Sequence, residues 1–231
     1  MAVEEVTKNK IIVVGDVHGE FGVFNSLMSK YQPEIVLQCG DFGYWPKMKG
    51  KTYLDGRGRI KKWETEVKNH NTKVYWAPGN HEDWDSIDQI TNYEIFPNVF
   101  YMKKGSTLEL PDGRMVMFIG GGLSIDKAYR TPGIDWFPQE AITQKDIYDL
   151  PDIHVDIMIT HAAPQEFKLF DLLTLKTEDP ARKALSYVLE KYRPKKWFFG
   201  HYHQFDRGTF CGTEWTALGH TKGGMQWWVE L

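Results

Sequence analysis

The chain has 231 residues, 42% of them hydrophobic and 26% charged, with nine tryptophans. That length and balance fit one globular domain with a sizeable core and exclude a disordered chain. A formal net charge of −3 excludes a general polyanion binder, while a local basic site remains open.

Met1–Lys10 is polar and is followed by only four apolar residues, so no signal-peptide core is expected. Lys10–Gly15 is a short β-branched run ending in glycine, the pattern of a strand buried on both faces that enters a turn. Glu34–Cys39 and Lys73–Ala77 repeat it, and Arg114–Ile119, Val155–Thr160 and Lys195–Phe199 are similar. Shorter strands are predicted at Val99–Met102 and Thr107–Leu110 and again after His203. Helices are predicted at Phe21–Lys30, Arg59–Asn69, Trp84–Thr91, Gln139–Asp149 and Pro180–Tyr192. The last is the clearest. Ala181, Ala184, Leu185, Val188, Leu189 and Tyr192 keep a 3.6-residue period, Asp179 stands at the N-cap, and Pro180 opens the helix. Alternating strands and helices followed by clustered strands predict an α/β architecture with mixed sheets in one domain.

No apolar run approaches the length of a membrane span, so a cytoplasmic protein without membrane association is expected. Cys39 and Cys211 lie far apart and lack zinc-finger spacing, which predicts two buried free thiols in a reducing compartment, with a single disulfide as the alternative.

Five short polar motifs follow in order: G-D-V-H-G at Gly15–Gly19, G-D-F-G at Gly40–Gly43, G-N-H-E at Gly79–Glu82, T-H-A-A-P at Thr160–Pro164 and G-H-Y-H at Gly200–His203. Four of them follow an apolar run of strand length. Together they supply Asp16, Asp41, Asn80 and five of the eight histidines. Carboxylate, amide oxygen and imidazole all bind metals. Alone, D-x-H at a strand end is more often a turn than a ligand pair, G-D-F-G is a common turn, N-H-E suits a helix start capped by Asn80, and H-x-H is evenly balanced; all five in order at strand ends read as a two-metal hydrolytic site. His70, His154 and His220 stand outside the clusters and are expected to be ordinary surface or supporting residues.

The set resembles the calcineurin-like metallophosphoesterase superfamily, whose pattern is D-x-H, G-D, G-N-H-[DE], H and G-H-x-H, and the resemblance runs from Ile11 to His203. It implies a β-sandwich of two mixed sheets flanked by helices (α/β/β/α). It implies one metal held by Asp16, His18, Asp41 and His203, and a second held by Asp41, Asn80, His161 and His201, with Asp41 bridging. The expected cofactors are two divalent transition-metal ions, manganese foremost, with iron, zinc, nickel or cobalt also suited to the mixed donor set. The implied chemistry is in-line attack on phosphorus by a hydroxide shared between the metals, with His81 resembling the family's general acid.

The second motif continues G-D-F-G-Y-W-P where protein Ser/Thr phosphatases of the superfamily carry G-D-x-V-D-R-G, which counts against that activity. L-Q-C-G-D-F, P-N-V-F-Y and the Gly120–Gly122 run resemble the RNA lariat-debranching branch, yet many of those enzymes have Cys where this chain has Asp16. The nearest resemblance is to small bacterial and phage phosphoesterases with S-[IV]-D-[KR]-x-x-R followed by Trp, here Ser124–Arg130 and Trp136.

On the substrate side, Lys47–Lys62 carries seven basic residues against Asp55, a local charge of +6, with Tyr44, Trp45, Tyr53 and Trp63 in or beside it. Basic groups with stacking rings suit a nucleotide or single-stranded nucleic acid, and they equally suit a solvated loop. Arg130 is a candidate phosphate grip or an ion-pair partner of Asp126 or Asp135. The expected function is a phosphoesterase acting on phosphodiester or phosphomonoester bonds of nucleotides or nucleic acid. A protein Ser/Thr phosphatase and a catalytically silent metal-binding scaffold are the alternatives. Candidate catalytic residues are His81 and Asp41, and candidate substrate contacts are Arg130, Asp126, Tyr44 and Trp45.

Overall fold

The computed structural model describes residues 10–49, 51–54, 60–62, 66–68, 71–169 and 178–231. Its elements in chain order begin with β1 (Ile11–Val14), α1 (Phe21–Tyr31), β2 (Ile35–Gln38), β3 (Thr52–Leu54), β4 (Ile60–Lys62), β5 (Lys73–Trp76), α2 (Trp84–Ile87), β6 (Glu94–Phe96) and β7 (Val99–Tyr101). They continue with β8 (Ser106–Glu109), β9 (Met115–Ile119), α3 (Gln144–Tyr148), β10 (Ile157–Thr160), α4 (Pro180–Tyr192), β11 (Lys196–Phe199), β12 (Asp206–Phe210), β13 (Thr213–Ala217) and β14 (Trp228–Glu230).

Two six-stranded mixed sheets result, ordered β14-β1-β2-β5-β7-β6 and β12-β13-β11-β10-β9-β8. In the first, β1, β2, β5 and β7 run parallel, with β14 and β6 antiparallel at the edges. In the second, β9, β10, β11 and β13 run parallel between antiparallel β8 and β12. All four residues of β1, β2 and β10 are buried, which is why these strands read as continuous apolar runs rather than as alternation.

The inner faces share one core: Val13 and Leu37 from one sheet pack with Val116, Phe118, Ile157 and Phe198 from the other. On the outer face of the first sheet, Phe24, Leu27 and Met28 of α1 pack with Ile12, Val36 and Val74. On the outer face of the second, Leu185, Val188 and Leu189 of α4 pack with Met158, Trp197 and Trp215. This is the helix–sheet–sheet–helix layering expected from the sequence. The α4 bounds match the expectation, and Asp179 Oδ1 accepts from Ala181 N at 2.8 Å as its cap.

Four expectations change. Ile60–Lys62 is a strand, paired antiparallel with Thr52–Leu54, and not the start of a helix; the β-forming Thr-Tyr-Leu run gives it a partner that outweighs local helix propensity. Residues 63–65 and 69–70 lie outside the described ones. The expected Gln139–Asp149 helix splits into a 3₁₀ turn at Pro138–Glu140 and α3, because Thr143 and Asp146 form a capping box that starts a new helix. The helix at Trp84 ends at Ile87, with Asp83 as its cap. Cys39 is buried, but Cys211 is exposed. Cys211-Gly212 forms the two-residue turn between β12 and β13, where both φ angles are positive, at 46° and 88°. No described helix is long and apolar enough to cross a membrane.

Candidate metal centre

Every motif falls just past the carboxyl end of a parallel strand. Asp16 and His18 follow β1, Asp41 follows β2, Asn80 and His81 follow β5, His161 follows β10, and His201 and His203 follow β11. Ligands of open α/β sheets gather at these ends. Four of these residues have left-handed backbone: His18 (φ 49°), Asp41 (51°), His201 (70°) and His203 (54°). Such conformations cost about 1–3 kcal/mol each and persist only where the surroundings hold them. The Asp41 carbonyl accepts from Val17 N at 3.0 Å and His18 N at 2.7 Å. Buried Glu82 clamps the turn after Asp41, accepting from Phe42 N at 2.6 Å, Gly43 N at 3.1 Å and Tyr44 N at 2.6 Å. Burial and the charge of Asp41 push Glu82 up to about 8, against the pull of those three donors.

The side chains converge in two groups. Ligand atoms of Asp16, His18, Asp41 and His203 lie within 4.8 Å of one another. His203 Nε2 is 3.0 Å from Asp16 Oδ2, and His18 Nε2 is 2.9 Å from His203 Nε2. In the second group, His161 Nε2 lies 2.9 Å from Asn80 Oδ1 and 3.2 Å from His201 Nδ1. Asp41 faces both: Oδ2 is 3.6 Å from His18 Nε2, and Oδ1 is 3.4 Å from His161 Nε2.

This donor chemistry suits divalent cations. The carbonyl of Cys39 lies 2.9 Å from His161 Nδ1 and can only accept, so Nδ1 carries a proton and Nε2 is the nitrogen that faces the site, where a cation would replace any proton on it. Two imidazole nitrogens 2.9 Å apart, as in His18 and His203, need a shared proton or cation between them. Burial opposes charge on His161, but Asp41 and Asp16 outweigh it and lift the ring to about 9. Burial likewise opposes an ionised Asp41, yet His161, His18 and His81 hold it well below the usual carboxylate range. Burial and the adjacent His161 push His201 down to about 3.

Glycine marks the close approaches. A Cβ on Gly79 would lie 2.1 Å from Asp41 Oδ1, and one on Gly200 would lie 2.0 Å from Asp16 Oδ1. A Cβ on Gly122 would press on His161 at 3.2 Å and make ordinary contact with His201 and Asn80 at 3.5 and 3.6 Å.

His81 stands beside the groups, its backbone N–H given to Asp41 Oδ1 at 2.8 Å. An Arg130 terminal nitrogen lies 2.5 Å from His81 Nε2 and 3.0 Å from Nδ1. Burial lowers the His81 pKa, Asp41 raises it, and Arg130 lowers it again. Arg130 is itself anchored: Nε donates to Asp126 Oδ2 at 2.9 Å, and a terminal nitrogen donates to the Asn80 and Asp135 carbonyls at 3.4 and 3.3 Å. Arg130 is ion-paired with Asp126, one of its two sequence readings, and it also lies against His81.

Trp45 donates its indole N–H to the His81 carbonyl at 3.0 Å. Tyr44 instead packs on Trp76 and Phe96, turned to the outer core of the first sheet. Lys47 of the basic stretch pairs with Asp83 at 3.1 Å, and residues 50 and 55–59 lie outside the described ones. His220, expected to be a surface or supporting residue, stands beside the first group, its ring tilted at 43° with its centroid 4.4 Å from that of His203. Ser124 and Glu140 were also missed as site residues; both are buried, and Ser124 Oγ accepts from Asn80 Nδ2 at 3.1 Å. Ser124 sits in the S-I-D-K stretch that the sequence singled out, whereas no sequence signal marks Glu140.

The sequence profile of the calcineurin-like phosphoesterase family matches residues 9–205. No curated protein matches the chain. One solved chain, 14% identical, aligns with a TM-score of 0.56 over 96% of this chain and 94% of its own. TT1561 of Thermus thermophilus, 13% identical, gives 0.56 over 93% of this chain and 90% of its own. A conserved uncharacterized protein of Streptococcus pneumoniae TIGR4, a predicted phosphoesterase, is 16% identical over 96% and 83%, with a TM-score of 0.42. The first two likenesses show the fold; the profile match over most of the length shows the family. The chain belongs to the calcineurin-like phosphoesterase family.

Proposed function

We propose that the chain is a single-domain phosphoesterase that uses two divalent ions, manganese foremost, to hydrolyse phosphodiester or phosphomonoester bonds of nucleotides or nucleic acid. Asp41 carries this reading, because its two oxygens face the two ligand groups at 3.6 and 3.4 Å. On it, Asp16, His18, Asp41 and His203 hold one ion, and Asp41, Asn80, His161 and His201 hold the other. Bound in pairs, such ions supply a nucleophile ionised near neutral pH and positive charge for phosphoryl oxygens.

The chain itself supplies position and proton handling. The His81 backbone is tied to Asp41 and, through its carbonyl, to Trp45, so the imidazole is held at a fixed place beside the ligands. Arg130 offers a planar fork next to that ring, suited to two phosphoryl oxygens. A phosphate that accepts from Arg130 draws the guanidinium off the His81 ring nitrogens and frees one to face the leaving oxygen. With the guanidinium withdrawn the ring can take up a proton from solvent and pass it to the leaving oxygen, a role worth about 10²–10⁴-fold. Asp126 holds the Arg130 fork in plane through Nε.

Hydrolysis of bis-p-nitrophenyl phosphate against p-nitrophenyl phosphate with Mn²⁺ tests the reading. Turnover with preference for the diester is the expected result. Two bound ions with no turnover of either ester would leave a silent scaffold.

A further inference from the structure

Asn80 can serve a cation only through its amide oxygen, since the amide nitrogen is a donor. Something must therefore decide which end of the amide faces the site. Here Oδ1 lies 2.9 Å from His161 Nε2, and Nδ2 points the other way, donating to Ser124 Oγ at 3.1 Å. Ser124 Oγ in turn donates to Glu140 Oε2 at 2.8 Å. The other carboxylate oxygen of Glu140 accepts from Ser124 N at 2.9 Å and from Trp136 Nε1 at 3.0 Å. Asn80, Ser124 and Glu140 are each only 3% exposed, so water does not offer substitute partners.

The proton inventory gives this chain one direction. A carboxylate has no proton to give, so the single hydroxyl proton of Ser124 is committed to Glu140. Ser124 Oγ is then left with lone pairs alone and can pair only with the NH₂ end of Asn80. The amide oxygen is turned to His161 as a consequence, independently of how the amide is assigned from its shape. We propose that Glu140 and Ser124 are positioning residues that set the polarity of Asn80 and so complete the site of the second ion. The proposal rests on the two-ion reading above. Burial pushes the Glu140 carboxyl above its ordinary range, while the Ser124 and Trp136 donors and the nearby Arg130 pull it back.

Glu140 is held for this purpose by the fold. Its carbonyl accepts from the N–H of Gly122 at 3.0 Å, the glycine that faces Asn80, His161 and His201. Lys104 Nζ donates to the flanking carbonyls of Gln139 and Ala141, at 3.2 and 2.5 Å.

The substitution Glu140→Gln tests polarity without changing shape. The glutamine oxygen keeps the Ser124 and Trp136 N–H donors, so its NH₂ turns to Ser124 Oγ. The hydroxyl proton is released toward Asn80 and draws Oδ1 away from the site. Calorimetric titration of metal-free protein with Mn²⁺ reads the result. Wild type is expected to bind two ions; E140Q is expected to bind one of them about 10–100-fold more weakly and the other as before. S124A removes the orientation without reversing it, so its loss is smaller. The double variant S124A/E140Q then binds the ion more tightly than E140Q alone, because the residue that transmits the reversal is gone. Melting of the metal-free proteins accompanies each titration. Unchanged affinities in E140Q and S124A would overturn the inference, as would a double variant weaker than both single ones. A wild type that binds fewer than two ions would instead overturn the two-ion reading itself.

Discussion

Asp41 Oδ1 accepts the backbone N–H of His81 at 2.8 Å, so the carboxylate between the two ligand groups also holds the residue that faces Arg130. Asp41→Asn separates these duties. The amide oxygen can still accept from His81, but the negative charge shared by both groups is lost. Near-wild-type folding is expected, with binding of both ions weakened at least about tenfold. Metal titration together with far-UV circular dichroism checks this.

His81→Ala removes the imidazole and leaves Asn80 and Asp41 in place. Two bound ions and a kcat lower by about 10²–10⁴-fold are expected. Steady-state kinetics at saturating Mn²⁺ reads this, and an unchanged kcat would remove His81 from the mechanism.

Arg130→Lys keeps the charge and loses the planar fork that touches His81, Asp126 and two carbonyls. A fall in kcat/KM of roughly 10–100-fold is expected, as for loss of a charged hydrogen bond. Asp126→Asn, which only loosens the fork, falls less.

Gly79→Ala places a methyl group 2.1 Å from Asp41 Oδ1 and 2.3 Å from Asp41 N. Neither neighbour can yield, because the turn at Asp41 is pinned by Glu82. Overpacking of this kind costs about 1–3 kcal/mol. A lower Tm and weaker metal uptake are expected together.

Asp146 links α3 to Lys104, the residue that holds the carbonyls on either side of Glu140. Burial alone would raise its pKa, but Thr143 N–H and Lys104 outweigh it and lower it. A carboxyl depressed in the folded state stabilises it above the ordinary carboxylate pKa, and that contribution is lost as pH falls through the folded value. The Tm gap between wild type and Asp146→Asn is therefore expected to be full at neutral pH and to narrow below about pH 4.

The motif residues were legible because most of the parallel strands that position them are apolar runs, with the functional residues just past their ends. The helix α4 was legible to the residue because its period, cap and bounding prolines agree. What escaped was set by partners distant in sequence. Ile60–Lys62 becomes a strand only because Thr52–Leu54 lies beside it. Tyr44 follows the second motif yet turns to Trp76, and the sequence does not reveal which side of the loop the core will claim. Glu140 looks like any helix-surface acid until Ser124 and Trp136 are seen to point at it. His220 reaches His203 through its bridge to Asp16, a pairing across most of the chain.

The central claim is that two ions at one Asp41 do the chemistry. Metal-free protein titrated with Mn²⁺, with bis-p-nitrophenyl phosphate hydrolysis followed at each addition, tests it most directly. The account predicts no turnover without metal and activity that rises with the second equivalent. Turnover in the metal-free protein, or activity complete at one ion per chain, would contradict it.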